Sequence, residues 1–300
     1  MRKTVAVRDL AVSKKAGRPR KSANFTAILM LAPFLLAYLL FFIFPTLRAV
    51  QLSLTDSTLT ETGPFVGLAN YVQLLGDADF WAALRNTGFF ALLTVIPTTL
   101  VGLVMALAVH RLVRAKNFVQ ALFFLPFVLP VSVVTLLWQW ILNSSFGIVH
   151  ALTGSTTSWF GELATAMPTV AVVTIWWTVG FNMLLFIAGL QNISKETYEA
   201  ASLDGAQGIQ VFRYITWPLL WPITTLVLTL QLISSLKIFT QMYLLTGGGP
   251  FNSTRVMLQY MYDTAFQNLS GGYASTIAVA FFLIILLVSL VQAALLSRRR

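Results

Sequence analysis

The chain has 300 residues, of which 57% are hydrophobic and only 10% are charged, with a formal net charge of +10. A soluble domain of this composition could not keep its surface solvated, so the chain is predicted to be an integral membrane protein. It contains no cysteine, which excludes disulfides, thiolate metal ligands and cysteine nucleophiles.

Residues 1–24 are rich in Lys and Arg and are predicted to be a disordered basic tail. The apolar run that follows starts at Phe25 and is too long for the core of a cleaved signal peptide, so we expect it to be retained as the first helix. The segment AGRPRK, residues 16–21, directly precedes this helix. We therefore interpret it as a juxtamembrane tail that attracts anionic lipid, and we expect no nucleic acid partner.

Residues 25–296 are predicted to form an all-α transmembrane domain, followed by a short basic end at residues 297–300. A hydrocarbon core about 30 Å thick requires about 20 apolar residues of helix, and long apolar runs favour helices over the alternating strands of a β-barrel. Pro126 and Pro130 either kink the third helix or are simply tolerated there. The six predicted transmembrane helices are Phe25–Phe44, Thr87–Val109, Phe118–Leu142, Met167–Leu190, Leu219–Met242 and Tyr273–Leu296.

The distribution of basic residues predicts the orientation of these helices. Sixteen of the 20 Lys and Arg residues fall in the two termini and in the loops after the second and fourth helices. Cytoplasmic segments carry such an excess. We therefore expect both termini to be cytoplasmic.

A hydrophilic stretch, EAASLDGAQGIQ, follows the fourth predicted helix and faces the cytoplasm in this orientation. Ser194 can cap a helix over Lys195–Asp204, and Gly205 ends that helix. Ile209–Thr216 is a second short helical candidate, and Pro218 can open the next transmembrane helix. The pattern predicts a helix-turn-helix in which Ala200, Ala201 and Leu203 form a ridge that fits a groove on another protein, or alternatively an amphipathic connector.

The spacing of this stretch resembles the EAA loop of permease subunits of bacterial ABC importers. Glu199, Ala200 and Ala201 are followed by Gly205 and Ile215, then by Trp217 and Pro218. Trp217 departs from the family pattern, which has leucine before the proline. VGFNMLLFIAGLQNI (179–193), LLTGGGP (244–250), YMYDTAF (260–266) and GPFVGLANYVQLL (63–75) also resemble the sugar permeases of the maltose and glycerol-3-phosphate branch.

This resemblance implies that the chain is a permease subunit of an ABC importer in a bacterial inner membrane, where it forms with a second permease the path for a sugar or related polyol. It also implies a set of partners. The partners are a second related permease, two cytoplasmic ATPase subunits and an extracytoplasmic solute-binding protein. The residues assigned to ATPase coupling, within an EAA loop at about residues 191–218, are Glu199, Ala200, Ala201, Asp204, Gly205, Ile215 and Pro218. The chain has no GxxxxGK[ST] motif, so we expect it to bind no cofactor and to be no enzyme, with ATP and Mg²⁺ bound by the ATPases.

Two other functional classes, a secondary transporter or channel and a membrane enzyme, fit the sequence less well than the importer does. A secondary transporter or channel usually places ionisable residues within the membrane, and the predicted helices contain no Asp or Glu. A membrane enzyme needs a cluster of reactive side chains, whereas His110 and His150 are far apart and flank no carboxylates. We therefore predict no catalytic residue and no metal site.

A solute path is predicted between the fourth and fifth helices, since polar side chains on one face of an apolar helix avoid lipid. The predicted pathway residues are Thr174, Trp177 and Thr178 on the fourth helix, and Gln231, Ser235 and Ile238 on the fifth. A tryptophan face beside amides and hydroxyls suits a sugar. The alternative is that these residues only pack helices together. Lys237 either neutralises a group in this path or extends to the outer interface.

Overall fold

The computed structural model describes residues 21–112 and 114–297, and it divides the chain into two compact units, one ending at Arg48 and one beginning at Ala49. Residues 1–20 of the predicted tail and residues 298–300 of the predicted basic end lie outside the described residues. The first helix begins at Lys21, so the last four residues of the predicted disordered tail are helical.

Helices dominate the described part of the chain, and its only β-type pairing is one isolated bridge between Thr55 and Phe65. Short π-helical turns at Leu39–Ile43, Phe212–Thr216 and Asp263–Gln267 join some of the helices. The α-helices are α1 (Lys21–Tyr38), α2 (Phe44–Leu52), α3 (Ala69–Leu75), α4 (Ala78–His110), α5 (Lys116–Val128), α6 (Val131–Ile141), α7 (Ile148–Thr153), α8 (Ala166–Gln191), α9 (Lys195–Leu203), α10 (Ile209–Val211), α11 (Trp217–Leu236), α12 (Thr240–Leu245), α13 (Met257–Tyr262) and α14 (Gly271–Ser297).

The predicted all-α membrane fold is confirmed. Within the described residues, five helical stretches are long and apolar enough to cross a membrane, and α5 with α6 makes a sixth if the bent pair counts as one span. The five stretches are Ile28–Leu52, Ala78–His110, Ala166–Gln191, Ile209–Leu236 and Gly271–Leu296.

The third predicted helix, Phe118–Leu142, is wrong as a single helix, because α5 and α6 meet at an angle of 95°. Leu129, between them, has an extended backbone with φ −68° and ψ 138°. The residue before a proline avoids the helical region, and Pro130 itself has no N–H to continue the ladder. Pro130 therefore breaks this helix completely, whereas Pro126 is tolerated inside α5.

The second and fifth predicted helices have different bounds in the structure. α4 starts at Ala78, nine residues before the predicted Thr87, because the Asp77 carboxylate caps it by accepting from the N–H groups of Asp79 (2.9 Å) and Phe80 (3.3 Å). The fifth helix ends at Leu236 and not at Met242. Ile238 and Met242 pack into the core after this break, in a cluster that includes Phe90.

The core of the second unit lies where α8 packs against α4, α5 and α11. α5 approaches α8 closely at Gly180, where a Cβ atom would lie 2.0 Å from the carbonyl oxygen of Phe123. Small residues at helix contacts allow such close approach in membrane proteins. This contact holds the end of α5 beside the middle of α8.

Candidate functional site: a central cavity and the EAA loop

A cavity of about 410 Å³ lies between α8 and α11, and we refer to it as the central cavity. Its remaining walls come from Phe90 of α4, from the end of α5 and from residues 237–241, after α11 has ended. All six predicted pathway residues line it, namely Thr174, Trp177, Thr178, Gln231, Ser235 and Ile238. Ile238 reaches the cavity from the break after α11, and not as a continuation of the helix face.

The central cavity lies at the middle of the span formed by α8. Trp177 and Asn182 both line it, and both lie in the middle third of Ala166–Gln191. At about 1.5 Å of rise per residue, this helix is about 39 Å long, so its middle third falls within a hydrocarbon core about 30 Å thick. The polar groups of the cavity are thus grouped at a depth where lipid-facing polar groups are costly.

One wall of the cavity is aromatic. The rings of Phe127 and Phe181 are stacked at 4.9 Å between centroids, and Phe127 lies 6.2 Å from Trp177. The indole N–H of Trp177 donates to the carbonyl oxygen of Leu129 at 3.2 Å. That carbonyl lies at the break between α5 and α6, so Trp177 both lines the cavity and satisfies a backbone acceptor that the broken helix leaves free.

A second part of the cavity wall is polar, and its side chains also join neighbouring helices. The Asn182 amide donates to the Gln231 side-chain oxygen at 3.1 Å. The hydroxyls of Ser235 and Thr94 are 2.8 Å apart. Gln231 and Ser235 therefore make the interhelical hydrogen bonds that the packing alternative predicts, and they also line the cavity.

Several residues of the cavity were not predicted from the sequence. Asn182 follows Thr178 by four positions and so continues the same helix face, which was a usable signal. Phe127 carried no such signal, because it lies on α5 and reaches the cavity only through the packing of α5 against α8. The other missed lining residues that carry aromatic or polar side chains are Phe90, Phe181, Ser234, Phe239, Thr240 and Gln241. Lys237, for which the sequence left two alternatives, also lines the cavity.

The EAA loop, residues 191–218, begins with a capped helix and a glycine turn. The Ser194 hydroxyl accepts from the N–H of Thr197 at 3.4 Å, at the start of α9. Asp204 follows α9 as its C-terminal cap, and Gly205 has a φ of +80°. Only glycine adopts this backbone at no steric cost, so the predicted turn is found at the predicted residue.

The predicted small-residue ridge on α9 is only partly right. Glu199, Ala200 and Leu203 are exposed, Leu203 at 88% of its surface. Ala201 is 7% exposed and faces its own chain, because it lies one position from Ala200 and so on a different side of the helix. Of the other residues assigned to coupling, Asp204, Gly205 and Pro218 are exposed and Ile215 is half-buried.

The second half of the EAA loop is continuous with the next span, which corrects the prediction of a separate short helix at Ile209–Thr216. Helical structure runs from Ile209 through the π-helical turn at Phe212–Thr216 to Leu236. Pro218 lies in the first turn of α11, directly after this turn. The missing proline N–H thus falls where the hydrogen-bond pattern already changes register.

At the end of the molecule away from the EAA loop, the LLTGGGP segment leads into a loop that α4 holds. The Asn86 amide donates to the carbonyl oxygens of Asn252 and Arg255, both at 3.1 Å. The Arg255 guanidinium forms an ion pair with Asp79 at 2.6 Å. Asn86 and Asp79 both lie in the first turns of α4, before its predicted start at Thr87.

Asp77 adds a second contact at this end. Its carboxylate accepts hydrogen bonds from the hydroxyls of Tyr260 and Tyr273. Burial acts to raise the pKa of Asp77, but these bonds and those from the backbone of Phe80 and Asp79 outweigh burial and hold the pKa below its usual value. The ionised carboxylate of Asp77 therefore joins the start of α4 to Tyr260 of α13 and Tyr273 of α14.

Relatives of known type were found over most of the chain. It is 36% identical to a probable ABC transporter permease protein of Bacillus subtilis, over 86% of this chain and 91% of that protein. It is 33% identical to the trehalose/maltose transport system permease protein MalF of Thermococcus litoralis, over 86% of this chain and 89% of that protein.

A solved structure shares the fold. A chain of a bacterial ABC transporter involved in the import of the acidic polysaccharide alginate superposes with a TM-score of 0.83, at 21% identity, over 92% of this chain and 96% of that chain. The family described as binding-protein-dependent transport system inner membrane component matches residues 98–300. The resemblance found in the sequence motifs is thus confirmed, and the chain belongs to this family of ABC transporter permeases.

Proposed function

We propose that this chain is the permease subunit through which a sugar or related polyol enters the cell. The observation that carries the proposal is the central cavity, which combines aromatic faces with amide and hydroxyl groups at the middle of the span. A sugar ring offers apolar C–H faces for the aromatic wall and hydroxyls for the polar wall. The similarity to a trehalose/maltose permease supports the same class of solute.

The energy source in this proposal lies outside the chain. Two cytoplasmic ATPase subunits would bind ATP and Mg²⁺ and contact the EAA loop. The exposed carboxylate of Glu199 and the exposed side chain of Leu203 suit an interface with a basic and partly apolar groove. A second permease would complete the path, and an extracytoplasmic binding protein would deliver the solute.

The orientation that this arrangement requires is tested with single cysteines, which the cysteine-free chain makes simple. Cysteine at Ser202 or Gln207, both exposed in the EAA loop, should be protected from a membrane-impermeant thiol reagent in intact cells. Cysteine at Thr60 or Thr156, exposed at positions predicted to be external, should react. Labelling of Gln207→Cys from outside would reject the orientation and the proposed ATPase contact.

The solute path is tested by removing one residue from each wall. Trp177→Ala and Gln231→Ala should each lower uptake about tenfold or more, equivalent to about 1.4 kcal/mol, and should change the order of preference among related sugars. The matched controls are Trp176→Ala and Thr229→Ala, which lie outside the set of residues that line the cavity.

A packing role predicts a different result. In that case uptake would fall only in proportion to the amount of protein in the membrane, with an unchanged order of preference among related sugars.

If the residues form the solute path, loaded binding protein should still stimulate the ATPase of the Trp177→Ala and Gln231→Ala variants, because the EAA loop is untouched.

A further inference from the structure

Lys237 introduces a single positive charge into the central cavity. It follows the last residue of α11, its side chain is exposed, and it is among the residues that line the cavity. The other lining residues in the described part of the chain are neutral, and none is Asp or Glu. The alternative that Lys237 simply extends to the outer interface does not account for its place in the cavity wall.

The ammonium group of Lys237 has no partner within residues 21–112 and 114–297. No carboxylate of these residues forms an ion pair with it, and no side chain or carbonyl accepts a hydrogen bond from it. Arg255 provides a contrast, because its guanidinium is mostly buried and is paired with Asp79. The charge of Arg255, which stabilises a loop, is thus neutralised by Asp79, whereas the charge of Lys237 in the cavity is left unpaired within the described residues.

An unpaired cation in such a place has a chemical consequence. Three neighbouring side chains, Asn182, Gln231 and Gln241, already offer neutral amide groups to the cavity, which suffice to bind sugar hydroxyls. A cavity that carries one sign of charge between apolar walls focuses the electric field of that charge, so Lys237 attracts an anionic group into the cavity. The same charge repels cations that would otherwise leak through the path.

We propose that the transported solute is an acidic sugar or polyol, whose carboxylate, sulfonate or phosphate group pairs with Lys237 in the central cavity. Lys237 is then a residue that determines specificity by charge, while the aromatic and amide walls bind the sugar ring. This inference rests on the proposed function of the cavity as the solute path.

The first experiment measures the charge of the cavity in the assembled transporter in membrane vesicles. Cysteine is introduced at Ser234 or, in a second variant, at Thr240, both in the cavity wall. Its rates of reaction are compared for a sulfonate-bearing and a trimethylammonium-bearing methanethiosulfonate. The anionic reagent should be favoured, and Lys237→Gln should shift the ratio of rates about tenfold towards the cationic reagent, whereas the exposed Arg85→Gln should leave it unchanged.

The second experiment identifies the solute. The binding protein that co-purifies with the transporter is denatured, its bound solute is determined by mass spectrometry, and uptake of that solute is measured. An anionic solute is expected, with uptake lowered about tenfold by Lys237→Gln and restored by Lys237→Arg. Stimulation of the ATPase by loaded binding protein should persist in both variants.

The outcomes separate the two proposals. Uptake of a neutral sugar, or a ratio of reaction rates that does not depend on Lys237, would overturn the acidic solute and leave the sugar permease standing. If neither cysteine reacts with either reagent and the wild-type transporter takes up no solute from its binding protein, the cavity is not the path and both proposals fail.

Discussion

The EAA loop and the central cavity are built in opposite ways. Residues 194–205 form a capped helix and a glycine turn from neighbouring positions, and most of their side chains are exposed. The cavity joins the end of α5, the middle of α8, the last turns of α11 and the segment after it. A surface that binds a partner can be encoded locally, whereas a path between helices exists only when distant segments pack correctly.

The largest effect is expected where this packing is tightest, at Gly180. A side chain there would place its Cβ atom 2.0 Å from the carbonyl oxygen of Phe123, and a backbone atom cannot move aside as the end of a side chain can. Gly180→Val should displace α5 from α8 and abolish transport, with a loss of stability of at least about 1–3 kcal/mol. Protein level and thermal unfolding of the purified transporter measure this loss.

Gly88→Ala is the matched control for Gly180. A Cβ atom at Gly88, in α4, meets no atom of the described chain within 4 Å. It should therefore leave stability and uptake near those of the wild type. Normal uptake by Gly180→Val would show that the cavity does not depend on the close approach of α5.

A smaller and different effect is expected at Glu199, on the exposed face of α9. Glu199→Gln keeps the shape of the side chain and removes its charge, so the protein should insert and fold normally. Loss of one partner of a charge pair at an interface costs about 2–5 kcal/mol, so association with the ATPase should weaken at least tenfold. Pull-down of the ATPase and the ratio of ATP hydrolysed to solute imported provide the measurements.

Glu196→Gln separates this contact from a general effect of charge. Glu196 is exposed and belongs to the first turn of the same helix. Its removal should weaken only the start of α9 and leave the ATPase bound. Equal losses in both variants would mean that the net charge of the loop, and not Glu199, supports the contact.

The sequence predicted the parts of the structure that depend on nearby residues. The cap at Ser194, the turn at Gly205 and the presence of the five unbroken membrane segments follow from local chemistry and from apolar length. The break after Leu236 could not be predicted, because no proline or glycine marks it and the packing of Ile238 and Met242 into the core follows it. Phe127 likewise reaches the cavity through the packing of α5 against α8, which nearby residues do not specify.

A substitution at Gly205 tests whether the locally encoded turn of the EAA loop is needed for transport. A Cβ atom at Gly205 would meet no atom of the described residues within 4 Å, yet φ is +80°. Gly205→Val should therefore act through backbone strain alone, at about 1–2 kcal/mol. Uptake should fall several-fold, while the thermal stability of the membrane domain changes little.

Gly205→Asn provides the graded control for this strain. Asparagine tolerates positive φ better than a β-branched residue does, so it should retain more uptake than valine. If both variants coupled ATP hydrolysis to uptake as the wild type does, the bend at Gly205 would have no part in coupling.

The smallest effect is expected at Ser194, whose hydroxyl accepts from the backbone N–H of Thr197. Ser194→Ala leaves that donor to water and should destabilise α9 by about 1 kcal/mol. Hydrogen exchange at the amides of the first turn should then accelerate several-fold, while exchange in α8 and uptake stay near wild-type values.

Ser202→Ala is the matched control for Ser194→Ala, because the Ser202 hydroxyl only donates to the carbonyl of Glu199 within the same helix. If Ser194→Ala instead slowed uptake as much as Gly205→Val, the start of α9 would be part of the coupling contact, and the local stability of the loop could not be separated from its function.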